Sequence, residues 1–329
     1  MSHSGTSEKS ETLVRSEAAM LPLEQIRLYS VTDFAVHTNQ DGSLLLFKPP
    51  GHQWSSADRS TLIGGGHITL YYHTRDSAKV NAYLKYAHLP TIDPNEAPQS
   101  RVVKINDVAA ELTKLCFSEP LTDSTIAKGR EIAAHLLTCI QEDRTCIAAL
   151  GRLAHHDWYT YYHSARVATY SLALAIEMGL TNETQLQYMA IGCLFHDIGK
   201  TRIDIQILNK DGPLTNHEWR LMRQHPELGE IVMDGSDLGH LSRQIILHHH
   251  ERLDGAGYPH MLSAADIITE VRIAAFADTF DALTTNRPYQ PGRTKYEVLD
   301  MIRHRFLQQL DSDCYKAMVS ILDRAGKTP

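Results

Sequence analysis

No stretch of the 329 residues is apolar over the length of a membrane span. The opening residues, Met1-Ser2-His3-Ser4-Gly5-Thr6-Ser7-Glu8-Lys9-Ser10, lack the apolar core of a secretion signal, so the cytoplasm is the expected compartment. Cysteine is scarce. Cys116, Cys139, Cys146, Cys193 and Cys314 are odd in number and never spaced as Cys-x-x-Cys. That argues against a disulfide framework or a structural zinc cluster, and for reduced thiols acting as small core residues. A basic excess is missing too: the net charge is −7, against DNA or RNA binding, which needs a positive footprint. An anionic small ligand stays open, because bound metal ions reverse local charge.

What the chain has in excess is histidine. Of 19 histidines, 12 follow Gly151. With 329 residues, 43% hydrophobic and 22% charged, two globular domains are expected. Residues 1–20 read as a disordered polar tail. Residues 21–90 read as a small α+β regulatory module. Asp33–His37 and Ser43–Phe47 flank the turn sequence Asn39-Gln40-Asp41-Gly42, which predicts a hairpin. A short helix is predicted from Ser56 to Leu62, and a strand over His67–Tyr72. Gly64-Gly65-Gly66 is not followed by Gly-Lys-Ser/Thr, so it reads as a turn rather than a phosphate loop. Residues 91–152 read as a proline-containing linker and a helical stalk, interrupted near Glu119-Pro120, that permits a homodimer. Residues 153–329 are helix after helix.

The chemistry centres on Cys193-Leu194-Phe195-His196-Asp197-Ile198-Gly199-Lys200. A helical pattern from Glu183 to Ile198 puts Asp197 on the core-facing stripe, and Gly199 is a helix stop. A buried carboxylate is costly unless it is paired or holds a metal. His163 shares a face with Val167, Tyr170 and Leu174, and His225 opens a helix whose first turn accommodates Pro226. The run Leu247-His248-His249-His250-Glu251, followed by a Gly/Pro loop ending Gly257-Tyr258-Pro259, is hard to explain by packing. Asp278 lies on a face with Val271, Ala274, Ala275 and Ala282, whose small side chains allow close helix approach. Helix bundles build metal sites from such side chains on facing helices. A His-dominated set with two carboxylates suits iron, manganese or zinc, and six or seven ligands imply two ions.

His163, His196-Asp197 with Gly199-Lys200, His225, His249-His250-Glu251 with Asp254-Gly255-Ala256-Gly257-Tyr258-Pro259, and Asp278 together resemble the HD-GYP family in order and spacing. So do Lys210–Thr215 and Arg287-Pro288-Tyr289, and the likeness runs from about Leu153 to Leu322. The resemblance implies a mainly α protein, with a C-terminal HD-type helical bundle carrying a dinuclear metal site, that hydrolyses cyclic di-GMP to linear pGpG or GMP. It implies that His163, His196, Asp197 and Asp278 hold one metal, and that Asp197, as a bridge, with His225, His249 and His250 holds the other. Iron is the first expectation and manganese the next. His248 has no place in the pattern and reads as structural. Members with a third metal carry a glutamate where this chain has Tyr159, Gln290 stands where a basic residue often follows Arg-Pro-Tyr, and Asp204 replaces a common proline.

Two metals would generate a nucleophilic water and neutralise the phosphate oxygens. Lys200 is expected to bind phosphate and stabilise the leaving oxygen, Arg287 to offer a planar fork, and Tyr258 to meet a guanine. Arg287 is alternatively a partner for Asp281. Glu251 and Asp254 are expected to fix the loop, and His155, His156, His217, His240, His260 and His304 to be surface or packing residues. The competing expectations are a weakly active or non-catalytic cyclic-dinucleotide receptor signalling through a protein partner, and a hydrolase of another cyclic dinucleotide.

Overall fold

The structure is a computed structural model and describes residues 12–86, 89–153, 159–285 and 292–326. The chain divides into two compact units, Met1–Asn95 and Glu96–Pro329.

The first unit carries a five-stranded antiparallel sheet, ordered β1-β4-β3-β5-β2. The strands are β1 (Thr12–Leu13), β2 (Ala18–Pro22), β3 (Val36–Gln40), β4 (Ser43–Lys48) and β5 (Thr69–His73). The predicted hairpin is β3–β4, and its two-residue turn places Asp41 and Gly42 at φ 47° and 89°, the left-handed pair such a turn requires. α1 (Ser56–Gly64) begins at a reciprocal cap between Ser55 and Asp58, and the three glycines end it in a turn. α2 (Ser77–Lys85) follows β5. Leu62 and Val80 from the helices, Leu21, Val36 and Leu70 from the strands, and Phe34 and Trp54 from the connections bury one shared core. The expected disordered tail is corrected over residues 12–20. These residues form β1 and the start of β2, with Leu13 buried, because β2 finds its partner in β5 about fifty residues away.

The second unit is helical. α3 (Pro98–Ser118) and α4 (Asp123–Glu142) are separated at Pro120, as the sequence indicates. α5 (Tyr159–Glu177) follows a 3₁₀ stretch, Arg144–Leu153. From Ala165 to Ala175 every α5 side chain is buried, the pattern of a helix enclosed by others. α6 (Glu183–Leu194) starts at the Asn182 cap. Next come a 3₁₀ turn (Ile198–Arg202) and α7 (Ile205–Leu208), which Asp204 caps through its Oδ1 on the Gln206 N–H at 2.8 Å. That capping gives the aspartate in place of proline a structural role. α8 (Asn216–Met222), α9 (His225–Val232), α10 (Gly239–His248), α11 (Thr269–Thr284), α12 (Lys295–Met301) and α13 (Ser312–Ala325) complete the chain.

The expected stalk is corrected. α3 and α4 belong to the body of the second unit and bury their apolar stripes inside it. Asn106 of α3 donates to Thr169 of α5 at 3.1 Å, and Gly129 of α4 sits so close to Phe195 that a Cβ there would strike the ring. An apolar stripe spent on the bundle no longer gives a reason for a dimer through these helices. No helix among the described residues is long and apolar enough to cross a membrane.

Candidate metal centre

Three helix ends and two helix faces converge on one buried point. α6 stops at Leu194, three residues before Asp197, so the helix does not continue to Ile198 as its pattern suggests. The tighter turn swings His196 and Asp197 inward. Gly199 permits this, because a Cβ there would fall on the backbone of His225 and Gly229, where α9 begins. That contact carries His225 to the site. α10 ends at His248, leaving His249 and His250 to turn across its end. α5 supplies His163, and α11 supplies Asp278.

The donor atoms fall into two groups, Asp197–His225–His249–His250 and His163–His196–Asp278. All seven expected ligands are thus brought together. Asp197 faces both groups: its Oδ1 lies 3.3 Å from His225 Nε2, and its Oδ2 lies 3.5 Å from His196 Nε2 and 3.9 Å from His163 Nε2. His163 Nε2 lies 3.0 Å from Asp278 Oδ1.

Hydrogen bonds at the outer nitrogens fix the rings. His196 Nδ1 bonds to the Cys193 carbonyl at 2.7 Å, His225 Nδ1 to Met222 at 2.8 Å and His249 Nδ1 to Ile246 at 2.9 Å. A carbonyl only accepts, so each Nδ1 carries the proton and each neutral ring aims a lone pair inward from Nε2. Burial drives all three rings towards the neutral form, His225 to about 3, with the neighbouring imidazoles reinforcing it at His249. Two such lone pairs, on His225 and His249, face each other at 3.2 Å. His196 Nε2 is buried with no hydrogen-bond partner. Facing acceptors with nothing between them repel, and a cation removes the repulsion. The residues therefore fit divalent metal.

The carboxylates support this reading. Burial alone would raise Asp197, but Lys200, at 2.6 Å from Oδ2, and the surrounding imidazoles hold it well below the usual range. Asp278 is depressed likewise, its burial outweighed by His163. Burial would lower His163, but Asp278 and Asp281 raise it to about 9. Asp281 was read from sequence only as a possible partner of Arg287, which lies outside the described residues. Its fully buried carboxylate takes His163 Nδ1 at 2.7 Å and Arg166 at 2.6 and 3.0 Å. The signal for it was available: Asp281 follows Asp278 by three residues, as Arg166 follows His163, the spacing of neighbours on one helix face.

The cleft over this centre holds about 530 Å³ and is lined in part by Lys200, Trp219, His250 and Tyr258. The Tyr258 ring stacks on His250 with centroids 4.6 Å apart, and the Arg223 guanidinium lies 5.3 Å from its centroid. Trp219, not singled out in the sequence, is 49% exposed. Gln290 lies with Arg287 outside the described residues. Glu251 receives the backbone N–H groups of His260 and Leu262 at 2.6 and 3.0 Å, and Asp254 that of Ala256 at 3.0 Å, so both fix the loop as expected.

A family profile described as HD domain matches residues 151–314. A cyclic di-GMP phosphodiesterase of Pseudomonas aeruginosa, PA4108, is 34% identical over 174 residues, covering 53% of this chain and 42% of that protein. The 3′3′-cGAMP-specific phosphodiesterase 1 of Vibrio cholerae is 36% identical over 162 residues, 49% of this chain and 37% of that one. The chain thus spans less than half the length of these two relatives. The solved structure of Bd1817, described as an HDG"Y"P protein from Bdellovibrio bacteriovorus, matches with a TM-score of 0.60 at 18% identity, covering 93% of this chain and 99% of that one, which supports the fold. The second unit contains an HD domain, a metal-binding helical bundle. The motifs that resemble the HD-GYP family, from His163 to Tyr289, all fall within the residues that match the HD domain family.

Proposed function

We propose that the chain is a metal-dependent phosphodiesterase that hydrolyses cyclic di-GMP to pGpG or GMP in the cytoplasm, with the first unit as its regulatory module. The observation that carries this reading is the pair of donor groups facing the two oxygens of Asp197, beneath a cleft open to solvent. His163, His196, Asp197 and Asp278 would hold one ion, and Asp197, His225, His249 and His250 the other. Iron, or next manganese, suits such a His/carboxylate set. When bound, two ions supply Lewis acidity and a nucleophilic water at neutral pH.

The chain's own residues do the rest. Lys200 neutralises Asp197 at the cleft and brings a cation within reach of a phosphate oxygen, where it offsets charge on the leaving group. Tyr258, held between His250 and Arg223, lines the cleft and offers its hydroxyl and ring edge to a guanine base. Arg287 is assigned a phosphate-binding role by its place in the motif. The buried Nδ1 bonds of His163, His196, His225 and His249 hold those imidazoles in the orientation that presents Nε2.

The test is product analysis after anaerobic incubation of cyclic di-GMP with protein of measured metal content, alongside Asp197→Ala. Hydrolysis that disappears in the variant supports the assignment. Tight binding without turnover by protein carrying two metals refutes it and favours a receptor that signals to a protein partner. Turnover of 3′3′-cGAMP alone moves the assignment to another cyclic dinucleotide, the reading favoured by the Vibrio relative.

A further inference from the structure

Three donors near the centre have no part in the chemistry above. His248 is buried at the end of α10, 7% exposed, and its Nδ1 has no hydrogen-bond partner. Glu251 is 2% exposed. By accepting the backbone N–H of His260 and of Leu262, it folds the loop back until the His260 ring stands 5.2 Å from the His248 ring. One donor atom from each of the three residues lies within 4.8 Å of the others. None of the three belongs to either group facing Asp197.

A buried imidazole nitrogen without a partner is costly. Glu251 Oε1 is 3.9 Å from it, too far for a hydrogen bond. That separation is close to the ~3.4 Å edge of a tetrahedron whose metal–ligand bonds are about 2.1 Å. A carboxylate oxygen that accepts one backbone N–H keeps another lone pair for a cation. His260 is exposed, so its side chain has room to complete the set.

We propose that His248, Glu251 and His260 form a further divalent-cation site of the zinc type, with three protein ligands and one open position, clipping the Tyr258 loop to the end of α10. In the sequence His248 reads as structural and His260 as a surface or packing residue, and the proposal gives both a ligand role. The site is independent of the phosphodiesterase assignment, since none of its ligands faces the reacting phosphate.

The experiment uses the full chain with zinc as the probe. Equilibrium dialysis at fixed free zinc, read by elemental analysis, compares the wild type with His260→Gln and His248→Gln. His260 is exposed, so its variant is expected to fold, and a matching thermal melt verifies that. The expected result is one zinc fewer per chain in each variant. Affinity for that ion should fall by more than the roughly 10–100-fold typical of disturbing only an outer-sphere partner. Hydrogen exchange at the amides of His260 and Leu262 should slow when zinc is added to the wild type and stay unchanged in His260→Gln. Identical stoichiometry in the wild type and both variants, or no zinc effect on those amides, overturns the proposal. Loss of dinucleotide hydrolysis in the wild type would refute the phosphodiesterase reading and leave the zinc count untouched, so the two failures are distinguishable.

Discussion

Asp281 is fully buried and receives three short bonds, one from His163 and two from Arg166, so Asp281→Ala strikes stability and metal binding together. Removing one partner of a buried, hydrogen-bonded charge pair costs about 3–5 kcal/mol. In a unit of 150–250 residues each kcal/mol lowers Tm by roughly 2–4 °C. A fall of about 6–20 °C is therefore expected for the second unit. His163 would also lose the bond that fixes its ring, which typically weakens a metal site about 10–100-fold. Only the group containing His163 should weaken, because the rings of His225 and His249 are fixed by carbonyls instead. Calorimetry with and without metal gives the first quantity, and competition with a chromophoric chelator the second. A Tm within about 2 °C of wild type with unchanged metal affinity would refute this account of how the centre is held.

Gly199→Ala should destabilise the protein by about 1–3 kcal/mol, the range for overpacking, and lower metal retention, because its Cβ would fall on the backbone that presents His225; chemical denaturation and metal analysis read both. Tyr258→Ala should raise KM for the dinucleotide several-fold while changing kcat less, since a hydrogen bond to the base contributes about 0.5–1.5 kcal/mol; a loss confined to kcat would contradict the binding role. Glu177 is held down to about 2, chiefly by Arg324, with Ser320 and Arg144 assisting. A depressed carboxylate contributes stability above its unfolded value of 4.5 and loses it as pH falls through the folded one. The stability gap between wild type and Glu177→Gln should therefore be constant above about pH 5 and close between about 4.5 and 2; a gap that widens on acidification would reverse the argument.

Five of the seven expected ligands stand out in the sequence as polar groups set in or at the end of an apolar pattern, while His196 and His225 enter through the family resemblance. Asp197 ends a core stripe, His163 and Asp278 interrupt one, and His249-His250 follow one. Such conflicts between local pattern and residue type concentrate at functional sites. What pattern cannot carry is the partner. The apolar stripes of α3 and α4 are the same whether they meet a second copy or their own bundle, and only the structure assigns them to α5 and its neighbours. Likewise β2 is short and mixed in sequence, and becomes a strand through pairing with β5 rather than from its own propensity.

The same distinction separates the metal ligands from the residues that orient them. An inward-facing histidine announces itself by periodicity, but the group that fixes its tautomer does so only through three-dimensional placement. For His196, His225 and His249 that group is a backbone carbonyl three residues earlier, on the turn that ends or begins a helix. A histidine placed where a helix breaks thus has an acceptor supplied by the chain itself, without a further side chain. His163 sits within α5, past its first turn, where its neighbours' carbonyls are committed to the helix, and so it needs Asp281 from α11. The one imidazole in the set that lies inside a helix, away from its ends, is the one held by a buried carboxylate. It follows that carbonyl-held rings should tolerate nearby side-chain substitutions that the carboxylate-held ring does not.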